Sequence, residues 1–238
     1  MVAATLFTAC SGPGADTKGR DSTSTKSTAG DTKAATGQTA GESRRARVVI
    51  LGTSLTAGLG LDPSEAYPAL LQAMADSAGF KVSIVNAGLS GETSAGALRR
   101  AAWVLDQPAD AVVLEVGAND GLRGVNPEDT RANIEALVDK IGAKFKTERI
   151  VLVQMEAPPN FGRDYTVKFH EAFGSAARNK NILLAPFLLD SVAGMPALNQ
   201  ADGIHPNRTG ARIVARNMFR ALTPLFTSLA AEAPPPSN

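Results

Sequence analysis

From residue 47 onward the chain alternates continuous apolar runs with stretches of helical periodicity, and that alternation leaves very few folds open to it. Candidate strands at 47–51, 81–86, 111–116, 149–154 and 181–185 include the runs Val48-Val49-Ile50-Leu51 and Ile150-Val151-Leu152-Val153. A strand that is apolar on both faces needs both faces covered, which is the situation of a parallel sheet sandwiched between helices. Between the strands, Tyr67, Leu70, Leu71 and Met74 fall at i, i+3, i+4 and i+7; Leu98, Ala101, Ala102 and Leu105, and then Ile134, Leu137, Val138 and Ile141, repeat the stripe. A strand–helix–strand succession implies right-handed crossovers and a single three-layer α/β/α sandwich.

Helix boundaries are also written in the chain. Asp62-Pro63-Ser64-Glu65 offers a cap acceptor, a first-turn proline and a capping-box glutamate for a helix that Gly79 can close. Asn126-Pro127 repeats the device. Val214, Met218, Ala221, Leu222 and Leu225 make a last apolar face, which Pro224 is expected to stop or kink at its final turn. Glu115 is out of place in an apolar central strand and requires a buried partner that spacing does not name.

The flanks differ in kind. Residues 231–238 contain three consecutive prolines and read as a loose tail to a domain spanning 47–230. Residues 11–46 are dominated by Ser, Thr, Gly and Ala, the composition of a flexible linker. Residues 1–10 are small and apolar, and Leu6-Phe7-Thr8-Ala9-Cys10 before Ser11-Gly12 resembles a bacterial lipoprotein cleavage site with Cys10 as the lipidated residue. The alternative is a signal fragment with an incidental cysteine. Either implies an exported protein, periplasmic or, if lipidated, associated with a membrane through Cys10.

Composition removes several function classes. With 24 Lys and Arg against 23 Asp and Glu, the 238-residue chain has no basic excess with which to bind nucleic acid. One cysteine excludes an intramolecular disulfide and a Cys-based metal site, and only two histidines, His170 and His205, are on offer to any mechanism that needs an imidazole.

In an open parallel sheet, ligands bind beyond the C-terminal strand ends. The first strand runs into Gly52-Thr53-Ser54-Leu55, the second into Asn86-Ala87-Gly88-Leu89-Ser90-Gly91, and the third into Gly117-Ala118-Asn119-Asp120; Asp202-Gly203-Ile204-His205-Pro206-Asn207 precedes the last helix. Ester hydrolysis needs a nucleophile, a base, an acid to orient the base, and donors for the oxygen that becomes negative. Ser54, His205 and Asp202 are candidates for the first three. The backbone N–H groups of Ser54 and Gly91 and the side-chain amide of Asn119 are candidates for the oxyanion hole. Blander readings exist for each: Asp202 as a helix cap, Gly91 and Asn119 as turn residues. His170 lies mid-helix, away from the strand ends, and reads as structural or exposed. No Gly-Lys-Ser/Thr follows the glycine-rich turn, against a P-loop, and Thr56 stands where an α/β-hydrolase elbow needs glycine.

Taken in order, Gly52-Thr53-Ser54-Leu55, Gly91, Gly117-Ala118-Asn119-Asp120 and Asp202-Gly203-Ile204-His205 resemble the blocks of the SGNH or GDSL esterase/lipase superfamily, over residues 47–225. Gly121-Leu122-Arg123-Gly124 and Pro159-Asn160-Phe161-Gly162-Arg163 make the likeness strongest to its bacterial thioesterase, lysophospholipase and arylesterase group. The resemblance implies a flavodoxin-like five-stranded sheet of order 2-1-3-4-5, a Ser54, Asp202, His205 triad, the oxyanion hole above, and no metal or organic cofactor. One position departs from it. The family usually carries Asp before the serine, where this chain has Thr53; activity is expected to survive, with altered turn rigidity or pH optimum.

The expected protein is a monomeric serine esterase acting on acyl esters or thioesters, with Leu55, Leu59, Leu89, Leu122 and Phe161 as candidate contacts to an acyl or aryl group. Two rivals stay open: a carbohydrate or peptidoglycan O-deacetylase, and a membrane-tethered lipid-binding protein without catalysis.

Overall fold

The computed structural model describes residues 44–232. Cys10, the linker and residues 233–238 lie outside them. Five strands, β1 (Ala46–Gly52), β2 (Val82–Gly88), β3 (Ala111–Glu115), β4 (Ile150–Val153) and β5 (Leu183–Ala185), form one parallel sheet in the order β2-β1-β3-β4-β5. The helices are α1 (Ser54–Ala57), α2 (Tyr67–Ser77), α3 (Ser94–Val104), α4 (Ala118–Arg123), α5 (Pro127–Gly142), α6 (Arg163–Lys180) and α7 (Arg208–Ala231). Helix α2 packs on α7, while α3 packs on α5 and α5 on α6, giving two helical layers. The expected three-layer sandwich and strand order are those observed.

The core is the sheet's own side chains and one stripe from each covering helix. Val48 to Leu51, Ala111 to Leu114 and Ile150 to Val153 are buried along their whole length, so neither face of the central strands meets water. From α5, Ile134, Leu137, Val138 and Ile141 are buried as their spacing requires. In α3 the stripe is rotated: Ala97 and Ala101 are buried, and Ala102 faces solvent beside Trp103.

Three local expectations are corrected by packing. Asp62 caps a separate 3-10 turn at Pro63–Glu65, and α2 starts only at Tyr67 after an extended Ala66. Tyr67 is drawn into the core, where its hydroxyl meets Thr56, and Glu65 pairs with Arg208 at the start of α7 instead of closing a capping box. Strand β5 begins two residues late, because Asn181, at φ 50, ends α6 in the left-handed conformation. Pro224 does not stop α7. Its ring is exposed, and Leu222, Leu225, Phe226 and Leu229 anchor the helix on both sides of it.

The chain runs from β1 outward to β2, then back across β1 to β3 and onward. The point at which it reverses lies between the C-terminal ends of β1 and β3, the place where an open sheet leaves a crevice.

Candidate active site

Ser54 leaves β1 at that crevice. It is the first residue of α1, with Thr53 as N-cap in an extended conformation. The turn is held from two sides. Asn86 Nδ2 on β2 donates to Thr56 O at 2.8 Å, and the Glu115 carboxylate at the end of β3 accepts from Thr53 N–H at 2.8 Å and from the Thr56 hydroxyl at 2.8 Å. Thr53 and Thr56 are therefore the partners that Glu115 requires. Gly52 makes room for them, since a Cβ there would lie 2.0 Å from Thr56 Oγ1 and 2.8 Å from Glu115 Oε2.

His205 arrives from the loop before α7. Asn199 and Pro206 form an antiparallel bridge, and Gln200 N–H donates to His205 O at 2.7 Å while Gln200 Nε2 reaches Leu59 O at 2.7 Å. That side chain ties the His205 loop to the segment after α1. Asp202 Oδ1 accepts the N–H groups of Ile204 and His205, each at 3.0 Å, and Asp202 Oδ2 lies 2.6 Å from His205 Nδ1. The His205 N–H, with the imidazole and the Ile204 N–H, holds the Asp202 carboxyl down at about 2, so Asp202 is ionised at neutral pH and fixes a proton on Nδ1. His205 Nε2 is then free to accept from the Ser54 hydroxyl, 2.8 Å away. The unbroken chain Asp202, His205, Ser54 is the geometry that activates a serine.

Three possible oxyanion donors lie on neighbouring loops. Ser54 opens α1, so its N–H has no intrahelical acceptor. The Gly91 N–H has no backbone acceptor among the described residues. Asn119 Nδ2 donates to Glu92 O at 3.0 Å, leaving the amide a second N–H. The loop carrying Gly91 is anchored by residues that sequence reasoning did not single out. Arg100 pairs with Glu92 at 2.6 Å and donates to Ala87 O at 2.8 Å and Gly52 O at 3.2 Å, binding the loop to the ends of β1 and β2. Arg123 donates to Gly91 O at 3.0 Å. Asp120, beside Asn119, accepts from Ser94 N–H and hydroxyl at 2.8 and 2.5 Å, fixing α4 against α3. Arg100 lies beside Arg99 in a helix whose apolar period marks neither as special, so no signal in the sequence separated them.

A narrow, solvent-open cleft adjoins Ser54 and His205 and is walled by Leu55, Leu59, Leu61, Leu189 and Val214. Of the five residues expected to contact an acyl group, Leu55 and Leu59 line it. Leu89, Leu122 and Phe161 are outside its lining and exposed, and the Phe161 ring packs on Tyr165 at 5.1 Å between centroids. His170 is mid-helix and exposed as expected, but it is not remote from a strand end: its Nδ1 lies 2.7 Å from Glu156, three residues after β4. It takes no part in the Ser54 cluster. Among the described residues, no group of three or more His, Cys, Asp or Glu side chains could hold a metal ion.

Residues 50–213 match the family described as GDSL-like lipase/acylhydrolase. The chain belongs to the GDSL-like lipase/acylhydrolase family. It is 37% identical over 180 residues to esterase TesA of Pseudomonas aeruginosa, covering 75% of this chain and 89% of that protein. It is also 37% identical to thioesterase 1/protease 1/lysophospholipase L1 of Escherichia coli K12, over 75% of this chain and 84% of that one. Among solved structures, the psychrotrophic esterase EstA from Pseudoalteromonas, inhibited by monoethylphosphonate, superposes with a TM-score of 0.72 at 34% identity, over 76% of this chain and 98% of its own. As a GDSL acylhydrolase the protein is a carboxylic ester hydrolase of the serine type, and its fold is the family's.

Proposed function

We propose that Ser54 is the nucleophile of an acyl-ester or thioester hydrolase, with His205 as general base and acid, Asp202 orienting the imidazole, and the Ser54 and Gly91 N–H groups and the Asn119 amide receiving the oxyanion. Ser54 Oγ attacks the acyl carbon as its proton passes to His205 Nε2; the imidazolium returns that proton to the leaving alkoxide or thiolate, giving an acyl-enzyme. Water then repeats the sequence and releases the acid. The observation that carries this reading is the continuous Asp202, His205, Ser54 hydrogen-bond chain. The apolar wall of the adjoining cleft, which includes Leu55 and Leu59, supports recognition of an acyl or aryl group.

The test is hydrolysis of a p-nitrophenyl ester series by wild type, Ser54→Ala and Asn119→Ala, with inactivation by an alkyl phosphonate followed by mass spectrometry. The expected outcome is loss of turnover in Ser54→Ala, a fall of roughly 10²–10³ in kcat for Asn119→Ala, and one phosphonyl adduct on Ser54. Turnover confined to acetate would point to a deacetylase, and acyl-chain binding without turnover would remove the catalytic reading. Among the described residues no helix is long and apolar enough to cross a membrane. We further propose export with tethering through a lipidated Cys10, supported by the sequence around that cysteine; mass spectrometry finding it unmodified in membranes of the native host would refute the anchor.

A further inference from the structure

Glu115 ends β3 with no exposure to solvent, and the proton relay between Asp202, His205 and Ser54 makes no use of it. Its carboxylate instead collects donors from the two residues that bracket the nucleophile turn. Thr53 N–H reaches Oε2 at 2.8 Å and the Thr53 hydroxyl reaches Oε1 at 3.0 Å. The Thr56 hydroxyl and N–H reach Oε2 at 2.8 and 3.3 Å. The Thr56 and Tyr67 hydroxyls are 2.8 Å apart. An ionised carboxylate can only accept, so the Thr56 hydroxyl donates to it and the Tyr67 hydroxyl donates to Thr56 Oγ1. Every buried hydroxyl proton then has an acceptor. A protonated Glu115 would have to donate to one of the threonine oxygens and turn that hydroxyl's own proton away. At Thr56 the order would reverse, Glu115 donating to Thr56 Oγ1 and the Thr56 hydroxyl to Tyr67, which leaves the Tyr67 proton without its acceptor. At either threonine, charge-assisted bonds beside Ser54 become neutral ones, and the hold on the turn weakens.

We propose, on the reading that Ser54 is the nucleophile, that Glu115 is a positioning residue whose ionised carboxylate holds the Thr53 to Thr56 turn in its reactive geometry, and that protonation of Glu115 releases the turn and disables Ser54.

Burial pushes the Glu115 carboxyl up to about 7, with the Thr53 and Thr56 donors pulling the other way, so the switch falls where enzymes are assayed. The groups around it leave the switch to Glu115. Tyr67, from α2, is the titratable side chain in its network, and burial drives that phenol up, far from neutral pH. Across β1, Arg100 reaches Gly52 O while paired with Glu92. On α4, Asp120 is engaged by Ser94 and Thr130. His205 bonds Ser54 and Asp202, not Glu115. Thr53 matters here because its hydroxyl donates. A carboxylate in its place would press a second negative charge against Glu115, and two carboxylates that close share a proton.

The test is the pH dependence of kcat and kcat/KM on a p-nitrophenyl ester from about pH 5 to about pH 9, for wild type, Glu115→Gln and Thr53→Val, with Ser54→Ala as the blank and a thermal melt at each pH. In wild type the acid limb of log kcat/KM is expected to steepen towards a slope of about 2, because two groups must lose protons. Glu115→Gln should reduce that slope to about 1 and lower kcat by roughly 10- to 100-fold at the alkaline plateau, with KM unchanged. Thr53→Val, which removes one donor to the charged form, should keep the steep limb and move its midpoint to higher pH. The proposal is overturned if folded Glu115→Gln keeps the wild-type slope and kcat, or if Thr53→Val leaves the midpoint in place; should Glu115→Gln fail to fold, Thr53→Val decides. Turnover surviving in Ser54→Ala would sink the nucleophile reading itself, an outcome separate from any change of slope.

Discussion

Two carboxylates at the same sheet edge are driven in opposite directions by what surrounds them. Asp202, on an exposed loop, is held at about 2 by the N–H and imidazole of His205, whereas burial brings Glu115 up to about 7. The consequence for stability can be signed. Glu115 holds its proton in the folded state over a range in which the unfolded chain has lost it, so its contribution is complete below its ordinary value of 4.5 and is lost as pH rises to about 7. We predict that urea midpoints of wild type fall across that window, and that Glu115→Gln flattens the fall; an unchanged slope in the variant would remove Glu115 as its cause. Stability and reactivity would thus trade against each other through one proton. At this scale the sequence was unevenly legible. Asp202 and His205 could be paired because they sit three residues apart on one turn. The partners of Glu115 could not, because they follow from the register that sets Gly52 beside Glu115 across β1 and β3. A one-residue slip would aim the carboxylate at the other face.

Among the elements, α7 is the one in which local propensity and packing disagree most. Pro224 withholds an N–H from the carbonyl of Arg220, and an interior proline costs about 3 kcal/mol relative to alanine. The helix continues because its buried face, Met218, Leu222, Leu225, Phe226 and Leu229, is anchored against the core on both sides of the proline. Pro224→Ala should therefore stabilise by about 1–3 kcal/mol and raise the Tm by several degrees without altering kcat; a Tm unchanged or lowered would show that the lost bond is already replaced. Periodicity marked the apolar face of this helix and those of α2 and α5, since burial and period are one fact read twice. It could not place the start of α2, where the pull of Tyr67 into the core overrides the capping residues of Asp62 to Glu65. Nor could it show that Arg100 fastens the Gly91 loop to the ends of β1 and β2, because those contacts are made to backbone carbonyls, which sequence does not distinguish.

For the molecule as a whole, the strand order decides where chemistry can happen. The reversal between β2 and β3 opens a crevice at the end of β1, and four loops from separate parts of the chain meet there. This much was legible from the order of the motifs and the apolar strands. The site is consequently only as stable as the assembly of its layers. His205 is carried by the loop that leads into α7, and α7 packs on α2 and against β5. Met218→Ala, buried in α7 and outside the lining of the cleft, should cost about 2–5 kcal/mol and lower the temperature of inactivation in step with the Tm. Inactivation that stayed put while the Tm fell would mean the His205 loop is held without α7. The separation of 151 residues between Ser54 and His205 has a temporal side as well. On the roles proposed for Ser54 and His205, a chain growing from its N-terminus presents the serine early and the imidazole late, so the half-made polypeptide would be chemically mute until α7 had been synthesised and docked.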